Sequence, residues 1–238
     1  MMNYSEAIAS EYLKTASPLC PLSTSGEGKR FAGVRQKSKI RGINSLRFKR
    51  TLKKGFHMNK HAIIILADGF EEVEAITPVD LLRRAGIAVT MLGLTSMEVN
   101  GSHNITVKAE MLLNDFNGKY DALVLPGGPG HKNLLESHKV LHLVNSAFQQ
   151  KLLCAAICAA PSIFGKAGIL KGKKATCFPG YEDKLGEAIF IQENVVRDAN
   201  VITSRGAGTA VEFGLEIIDY LIGKAEAENV SRAIQFNR

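Results

Sequence analysis

From residue 61 onward, short apolar runs alternate with segments of helical periodicity, and this alternation restricts the chain to few folds. The runs at 62–67 and 122–125 are aliphatic throughout, which is typical of strands buried on both faces of a sheet. Strands of this kind, separated by helices, form a parallel sheet with helices covering both faces. The sequence therefore predicts one α/β domain built on a mostly parallel sheet.

The predicted elements follow one another closely along this domain. Apolar residues at helical spacing predict a helix over 71–85 that Gly86 ends, with a kink or a restart at Pro78. An Asn-Gly pair at 100–101 indicates a hairpin whose second strand passes through 105–107. Further strands are predicted at 88–94, in the run that ends at Cys158, and at 175–178, 189–192 and 201–204, and further helices at 133–150, 160–167 and 210–222.

The first sixty residues differ from the rest of the chain in charge. They hold thirteen Lys and Arg against three Asp and Glu, a net of +10, whereas the remainder is at −3. Residues 1–58 are interpreted as a basic extension that is disordered or non-native, with an organelle-targeting peptide as the other possibility. Charge runs are usually only solvated, so we expect neither nucleic acid nor membrane as a partner. The folded domain is predicted to cover residues 59–238.

Cysteine content and hydropathy indicate the cellular location of the protein. No run approaches eighteen consecutive apolar residues, so no transmembrane helix is predicted. Four cysteines in 238 residues do not suggest a disulfide framework. We therefore expect a reducing, cytoplasmic location, or an organelle if the extension is a targeting peptide.

Cys158 is the residue with the strongest chemical signal. It ends an apolar strand, and the small residues and Pro161 that follow open a helix. Backbone N–H groups converge at a helix N-terminus, and its dipole favours the thiolate, which is the nucleophilic form of cysteine. A small buried side chain without reactivity is the alternative. Three other segments end strands at the same edge of the sheet, where ligands bind in such folds: 68–74, 126–130 and 204–209.

The candidates for a partner of this thiol are carboxylates. All six histidines precede Cys158, which excludes the glutamine-amidotransferase order, and we expect His131 to be a solvent-facing loop side chain. Glu71, Glu72 and Glu74 follow the first strand, and two of them are expected on the solvated face. A glutamate beside a thiolate has a raised pKa, so it stays protonated and can donate a hydrogen bond to sulfur and move a proton.

Two glycine-rich loops are predicted near this cysteine. Gly127 and Gly128 let backbone N–H groups approach a substrate and form an oxyanion hole with the N–H after the cysteine, although a simple tight turn is the alternative. The pattern at 206–211 imitates a dinucleotide fingerprint, but it follows the last strand of the sheet and its third position is Val211. The sequence therefore predicts no dinucleotide, and it predicts no metal, because no histidine follows Cys154 and Cys158 to complete a metal site.

Five segments together resemble the ThiJ/PfpI superfamily, in the branch of bacterial YajL and the parkinsonism-associated deglycase-like protein. They occur in order between residues 59 and 235 and leave the basic extension outside the match. The segments are 67–74 (ADGFEEVE), 78–86 (PVDLLRRAG), 125–128 (LPGG), 155–161 (AAICAAP) and 203–209 (TSRGAGT).

The resemblance implies a flavodoxin-like three-layer sandwich with a nucleophile elbow, usually as a homodimer. It makes Cys158 the nucleophile and protonated Glu74 its partner, with the N–H groups of Gly128 and Ala159 as oxyanion donors. The substrate pocket that it implies contains Gly127, Arg205, Gly206 and Ala207.

The activity that the resemblance implies is that of a cofactor-free glyoxalase or protein deglycase. Its substrates would be methylglyoxal, glyoxal, or their adducts with thiols and amines. A redox-responsive chaperone or oxidative-stress sensor is the alternative, in which Cys158 is oxidised to a sulfinate that the glutamate holds.

The sequence departs from its relatives at two places. Some relatives carry a histidine before the proline of the strand after the elbow helix, where this chain has 177–179 (CFP). Relatives often place an arginine across the dimer interface in the early hairpin, where this chain has 101–104 (GSHN). Proton transfer is therefore expected to work without that histidine, and cross-subunit charge contacts at the site are not part of the prediction.

Overall fold

The computed structural model describes residues 60–236, so the interpretation of residues 1–58 lies outside the described part and stays a prediction. The described strands are β1 (His61–Leu66), β2 (Ala88–Gly93), β3 (Glu98–Asn100), β4 (Thr106–Lys108), β5 (Met111–Leu112), β6 (Ala122–Leu125), β7 (Leu153–Ile157), β8 (Lys174–Ala175), β9 (Ile189–Phe190), β10 (Val195–Asp198) and β11 (Val201–Ser204). The described α-helices are α1 (Glu72–Arg84), α2 (His131–Glu136), α3 (His138–Gln149), α4 (Pro161–Lys166), α5 (Ala210–Ile222) and α6 (Lys224–Ala233).

Seven strands form the central sheet, in the order β10-β11-β7-β6-β1-β2-β5. All neighbours are parallel except β10 and β11, which confirms the predicted, mostly parallel sheet. The chain passes from β1 to β2 on one side and later returns to β6 on the other side of β1. The strand order therefore reverses between β1 and β6, and ligands of open α/β sheets bind at the carboxyl ends beside such a reversal.

Helices cover both faces of this sheet, so the architecture is a three-layer sandwich. On one face, α1, α5 and α6 pack on the sheet through side chains such as Leu82 and Phe213. On the other face, α2, α3 and α4 pack through side chains such as Val144 and Phe164. Both phenylalanines are fully buried, and truncating such a side chain to alanine costs about 3–5 kcal/mol.

The element boundaries differ from the prediction in several places. The helix predicted at 133–150 is two helices, because Ser137 has an extended backbone and its Oγ caps α3 by accepting from the N–H of Val140 at 3.3 Å. Helix α1 runs through Pro78 without the predicted restart. The strands predicted at 175–178 and 189–192 are two-residue strands, β8 and β9.

Two described strands and one described α-helix have no counterpart in the prediction: β5, β10 and α6. Helix α6 is mostly polar and buries only Ala227 and Val230, so its apolar periodicity is too short to recognise. Strand β10 lies at the edge of the sheet and pairs antiparallel with β11. None of the helices within residues 60–236 combines the length and the apolar character that a membrane span needs.

Candidate active site

Cys158 lies on a strained turn between β7 and α4. Its φ angle is +65°, in the left-handed region that side chains other than glycine rarely adopt and that costs about 1–3 kcal/mol. Hydrogen bonds on both sides hold this conformation: the N–H of Cys158 donates to the Ser204 carbonyl and its own carbonyl accepts from the N–H of Phe178, each at 2.8 Å. Pro161 then begins α4. This strand–turn–helix geometry is that of a nucleophile elbow.

Glu74 is the carboxylic acid that the fold brings to this cysteine. It belongs to the first turn of α1 and is 1% exposed, while Cys158 is 9% exposed. The side chains of the two residues are hydrogen-bonded to each other. The Oε2 atom of Glu74 also accepts from the N–H of Gly127 at 3.0 Å. The carboxyl group is therefore fixed against the sulfur.

Burial raises the pKa of Glu74 to about 7. The hydrogen bond with Cys158 opposes this rise, the negative charge of Glu71 adds to it, and the N–H groups of Gly127 and Ala207 oppose it. A carboxyl group with this pKa holds its proton in a large fraction of molecules at neutral pH. It can therefore exchange a proton with a neighbouring group in either direction.

The Cys158 thiol also has a raised pKa, of about 12. Burial is the main cause, and the charge and hydrogen bond of Glu74 add to it, while the N–H groups of Gly128 and Ala159 work against it. The N–H groups favour the thiolate, as the sequence predicts, but burial outweighs them. Two groups this close titrate as a pair, and a negative sulfur is favoured when Glu74 carries the proton.

Positions 127 and 128 in the loop after β6 have room only for glycine. A Cβ atom on Gly127 would lie 2.7 Å from the Cys158 Cβ and 2.7 Å from the Glu74 Oε2. Gly128 has a φ of +76°, and a Cβ there would lie 2.5 Å from the backbone nitrogen of Glu71. This close approach brings the N–H of Gly128 to the sulfur, where it meets the N–H of Ala159. The two predicted oxyanion donors thus converge on the same atom.

The loop after β11 borders the other side of the elbow. The N–H of Ala207 bonds Glu74, and a Cβ on Gly206 would lie 3.9 Å from the Glu74 Oε1. The charge of Arg205 acts on Cys177, a second buried thiol. Of the predicted pocket residues in this loop, Gly206 and Ala207 therefore lie near Glu74. Burial raises the pKa of Cys177, and the charge of Arg205 works against this rise.

The expectation that two of the three glutamates face solvent is wrong for Glu72. This residue is buried and accepts hydrogen bonds from the turn of the β3–β4 hairpin, which folds back over the start of α1. Its partners are the N–H of His103 at 2.7 Å, the N–H of Ile105 at 3.4 Å, the His103 Nδ1 at 2.9 Å and the Ser102 Oγ at 3.3 Å. Burial opposes ionisation, but these bonds outweigh it and lower the pKa of Glu72 to about 2.

Glu71, Glu72 and His103 form the group within residues 60–236 that could hold a metal ion. Their ligand atoms all lie within 4.8 Å of one another. Both oxygens of Glu72 already accept hydrogen bonds, and Glu71 caps α1 by accepting from the N–H of Glu74 at 2.7 Å. These contacts attach the hairpin to α1, so we assign the group a structural role.

His131 is also placed differently from the expectation of a solvent-facing loop residue. It is 4% exposed, begins α2, and its Nδ1 lies 2.7 Å from the Gly128 carbonyl oxygen. On the other side of the site, the Ser162 Oγ donates to the Ala159 carbonyl at 2.6 Å. Both side chains therefore hold a residue whose N–H faces the sulfur. Neither position carries a sequence signal beyond its spacing of three residues from its partner.

These features define a class: a flavodoxin-like sandwich whose cysteine elbow pairs with a buried glutamate and faces two backbone N–H groups. The chain belongs to the DJ-1/PfpI family, whose profile matches residues 60–220. This agrees with the resemblance drawn from the five sequence segments.

Three relatives show how far the similarity extends. The zebrafish Parkinson disease protein 7 homolog is 43% identical over 178 residues, which are 72% of this chain and 94% of the relative. Drosophila melanogaster protein dj-1beta is 41% identical over 74% of this chain and 97% of the relative, and its crystal structure matches with a TM-score of 0.72, covering 76% of this chain and all of the other. The Caenorhabditis elegans protein named glutathione-independent glyoxalase DJR-1.2 is 32% identical over 74% of this chain and 96% of the relative.

Proposed function

We propose that this protein is a cofactor-free enzyme that converts methylglyoxal, glyoxal and their thiol or amine adducts into 2-hydroxy acids. The observation that carries the proposal is the hydrogen-bonded pair of Cys158 and Glu74 at a strained elbow. The worm relative that is named a glutathione-independent glyoxalase supports the same activity.

The first step is addition of the Cys158 sulfur to the aldehyde carbon. The sulfur attacks as a thiolate while Glu74 holds the proton, and the aldehyde oxygen becomes an oxyanion. The N–H groups of Gly128 and Ala159, which converge on the sulfur, are the donors for this oxyanion. Glu74 then protonates it, which gives a hemithioacetal.

The remaining steps need only proton transfers and one water molecule. Glu74, now ionised, removes the proton from the former aldehyde carbon, and the resulting enediol is protonated at the neighbouring carbon. The aldehyde carbon is oxidised to a thioester and the keto carbon is reduced to an alcohol, so no external oxidant is required. Water hydrolyses the thioester, which releases the 2-hydroxy acid and restores the thiol. In an amine adduct, the Cys158 sulfur replaces the amine on this carbon, and the amine leaves with the proton of Glu74.

Replacing the two residues tests this proposal. We expect Cys158→Ser to abolish lactate formation from methylglyoxal and Glu74→Gln to reduce kcat by about 100-fold or more, the range typical of a lost general acid–base. Cys154→Ala is the matched control, because Cys154 is a buried thiol on β7, the strand that leads to Cys158, and its sulfur lies 3.9 Å from the carbonyls of Val144 and Leu152. Undiminished turnover by the Cys158→Ser variant would contradict the mechanism.

A redox-responsive chaperone or sensor is the second candidate function. The same N–H groups and the Glu74 carboxyl that surround the sulfur can bind the oxygens of a sulfinate. Intact-mass measurement after mild peroxide treatment decides between the two. If Cys158 gains no oxygen while the untreated protein turns over methylglyoxal, the sensor function is wrong.

We also propose that the protein is a homodimer that pairs through α1 and the β3–β4 hairpin. Val73 and Ile76 on α1 are exposed, and so is Ile105, whose N–H bonds Glu72 and thereby brings this apolar side chain beside α1. Sedimentation should give a dimer that Ile76→Glu dissociates. Ile189→Glu, at another exposed isoleucine, is the control, and a monomeric wild type would refute the proposal.

For the compartment, we propose the cytoplasm. The cysteines at 154, 158 and 177 are all free thiols in the described part of the chain, and a reducing compartment keeps such thiols available for chemistry. Imaging of fluorescent fusions with and without residues 1–57 tests this. An organelle signal that depends on those residues would show that the extension is a targeting peptide.

A further inference from the structure

A large aromatic side chain is left half exposed beside the elbow. Phe178 is 47% exposed, although burying a phenyl ring is favourable. Its backbone N–H donates to the Cys158 carbonyl at 2.8 Å, which fixes the residue next to the nucleophile. The ring is therefore an apolar surface held in place at the edge of the reactive site.

The ring and the catalytic acid border the same small space. A Cβ on Gly206 would lie 3.3 Å from the Cδ2 of Phe178 and 3.9 Å from the Oε1 of Glu74. The ring edge and the carboxyl oxygen thus both lie within 4 Å of one point above Gly206. Because Gly206 has no side chain, the surface above its Cα is not blocked between the ring and the carboxyl group.

The strand order places this ring on the side of Cys158 away from the glycine loop. Strand β7, which leads to Cys158, lies between β6 and β11. The loop after β6 contributes the N–H of Gly128, whereas the loop after β11 contributes Gly206, whose Cβ position lies 3.3 Å from the Phe178 Cδ2. When the aldehyde oxygen of a substrate points at the N–H of Gly128, the rest of the substrate is directed toward the Phe178 ring.

We propose that Phe178 is a specificity-determining residue, against which the substituent on the keto carbon of a 2-oxoaldehyde packs. The preferred substrates are then 2-oxoaldehydes with an aryl or large alkyl substituent, ahead of methylglyoxal. An aryl substituent covers the exposed ring face and gains aromatic contact, whereas a methyl group is too small to do either. This inference rests on the proposed function, since it names the substrate class of the same site.

The first test compares two substrates in four proteins. Initial-rate kcat/KM is measured for phenylglyoxal and methylglyoxal with the wild type, Phe178→Ala, Phe178→Leu and Phe190→Ala. We expect the phenylglyoxal-to-methylglyoxal ratio to exceed one in the wild type and to fall about 2- to 10-fold in Phe178→Ala, with a smaller fall in Phe178→Leu. Phe190, which is 39% exposed on β9, is the matched control and should leave the ratio unchanged. An unchanged ratio in Phe178→Ala overturns the proposal.

The second test does not depend on turnover, so it separates this inference from the proposed function. Protection of Cys158 from alkylation by iodoacetamide is measured against the concentration of each aldehyde. The wild type should be half protected at a lower concentration of phenylglyoxal than of methylglyoxal, and Phe178→Ala should lose this difference. Equal protection of the wild type and Phe178→Ala by phenylglyoxal refutes the role of Phe178, whereas absence of turnover in the wild type refutes the proposed function.

Discussion

Replacing Glu74 by glutamine should make the protein more stable in alkaline solution while it inactivates the enzyme. Glu74 is buried, and its pKa rises from 4.5 to about 7 on folding. The folded state therefore binds a proton more tightly than the unfolded state does. Stability is lost as the pH rises above 4.5, and the loss is complete once the pH exceeds about 7. Glutamine has a similar shape and no charge, so it avoids this loss.

The size of the effect follows from the two pKa values. A shift of one pKa unit corresponds to about 1.4 kcal/mol, so the rise of the Glu74 pKa from 4.5 to about 7 corresponds to about 3 kcal/mol once Glu74 is fully ionised in the folded protein. Because part of this is already lost at pH 5, the advantage of Glu74→Gln over the wild type should grow by about 2–3 kcal/mol between pH 5 and pH 8.5. In a domain of this size that corresponds to a rise in relative Tm of about 5–10 °C.

Urea unfolding at the two pH values measures the effect. Glu72→Gln is the matched control, since it removes a buried carboxylate of the same helix whose pKa is lowered to about 2. Glu72 is ionised in the folded protein at both pH values, and its exposed partner His103 loses its charge between them, so this variant should show a smaller pH-dependent change in stability than Glu74→Gln. If the difference in unfolding free energy between Glu74→Gln and the wild type does not change with pH, the reasoning is refuted, because the pKa of Glu74 is then not raised in the folded protein.

Two further predictions concern activity. The Cys158–Glu74 pair loses its first proton with a pKa of about 7, so kcat/KM for methylglyoxal should rise with pH up to about 7 and then level off. Glu74→Gln should lose this rise with pH. A wild-type profile that is flat from pH 5 to pH 9 would contradict the shared proton. Gly128→Ala should cost about 1–3 kcal/mol of stability and most of the activity, because φ is +76° and the added Cβ meets backbone. Unfolding curves and lactate assays check this. Gly180→Ala, with φ +90° and nothing near its Cβ position, separates backbone strain from displacement of the N–H donor.

The main features of the fold could be predicted because they depend on local pattern. The strands near 62–67 and 122–125 are apolar on both faces, and that pattern has few explanations other than a covered parallel sheet. The hairpin at the Asn-Gly pair and helix α5 were predicted for similar reasons. Edge elements such as β10 and the polar helix α6 were missed, because what stabilises them is a neighbour distant in sequence.

The sequence by itself determined that a cysteine ends a buried strand and that glycine loops and glutamates follow neighbouring strands. The tertiary structure decided which of these residues act together. It buried Glu74 against Cys158 and turned Glu72 toward the hairpin, although both belong to the same turn of α1. The physical reason is that a pKa or a hydrogen bond depends on the burial and charge of surrounding atoms. The fold brings those atoms together from distant residues, 31 positions apart for His103 and Glu72 and 53 for Gly127 and Glu74.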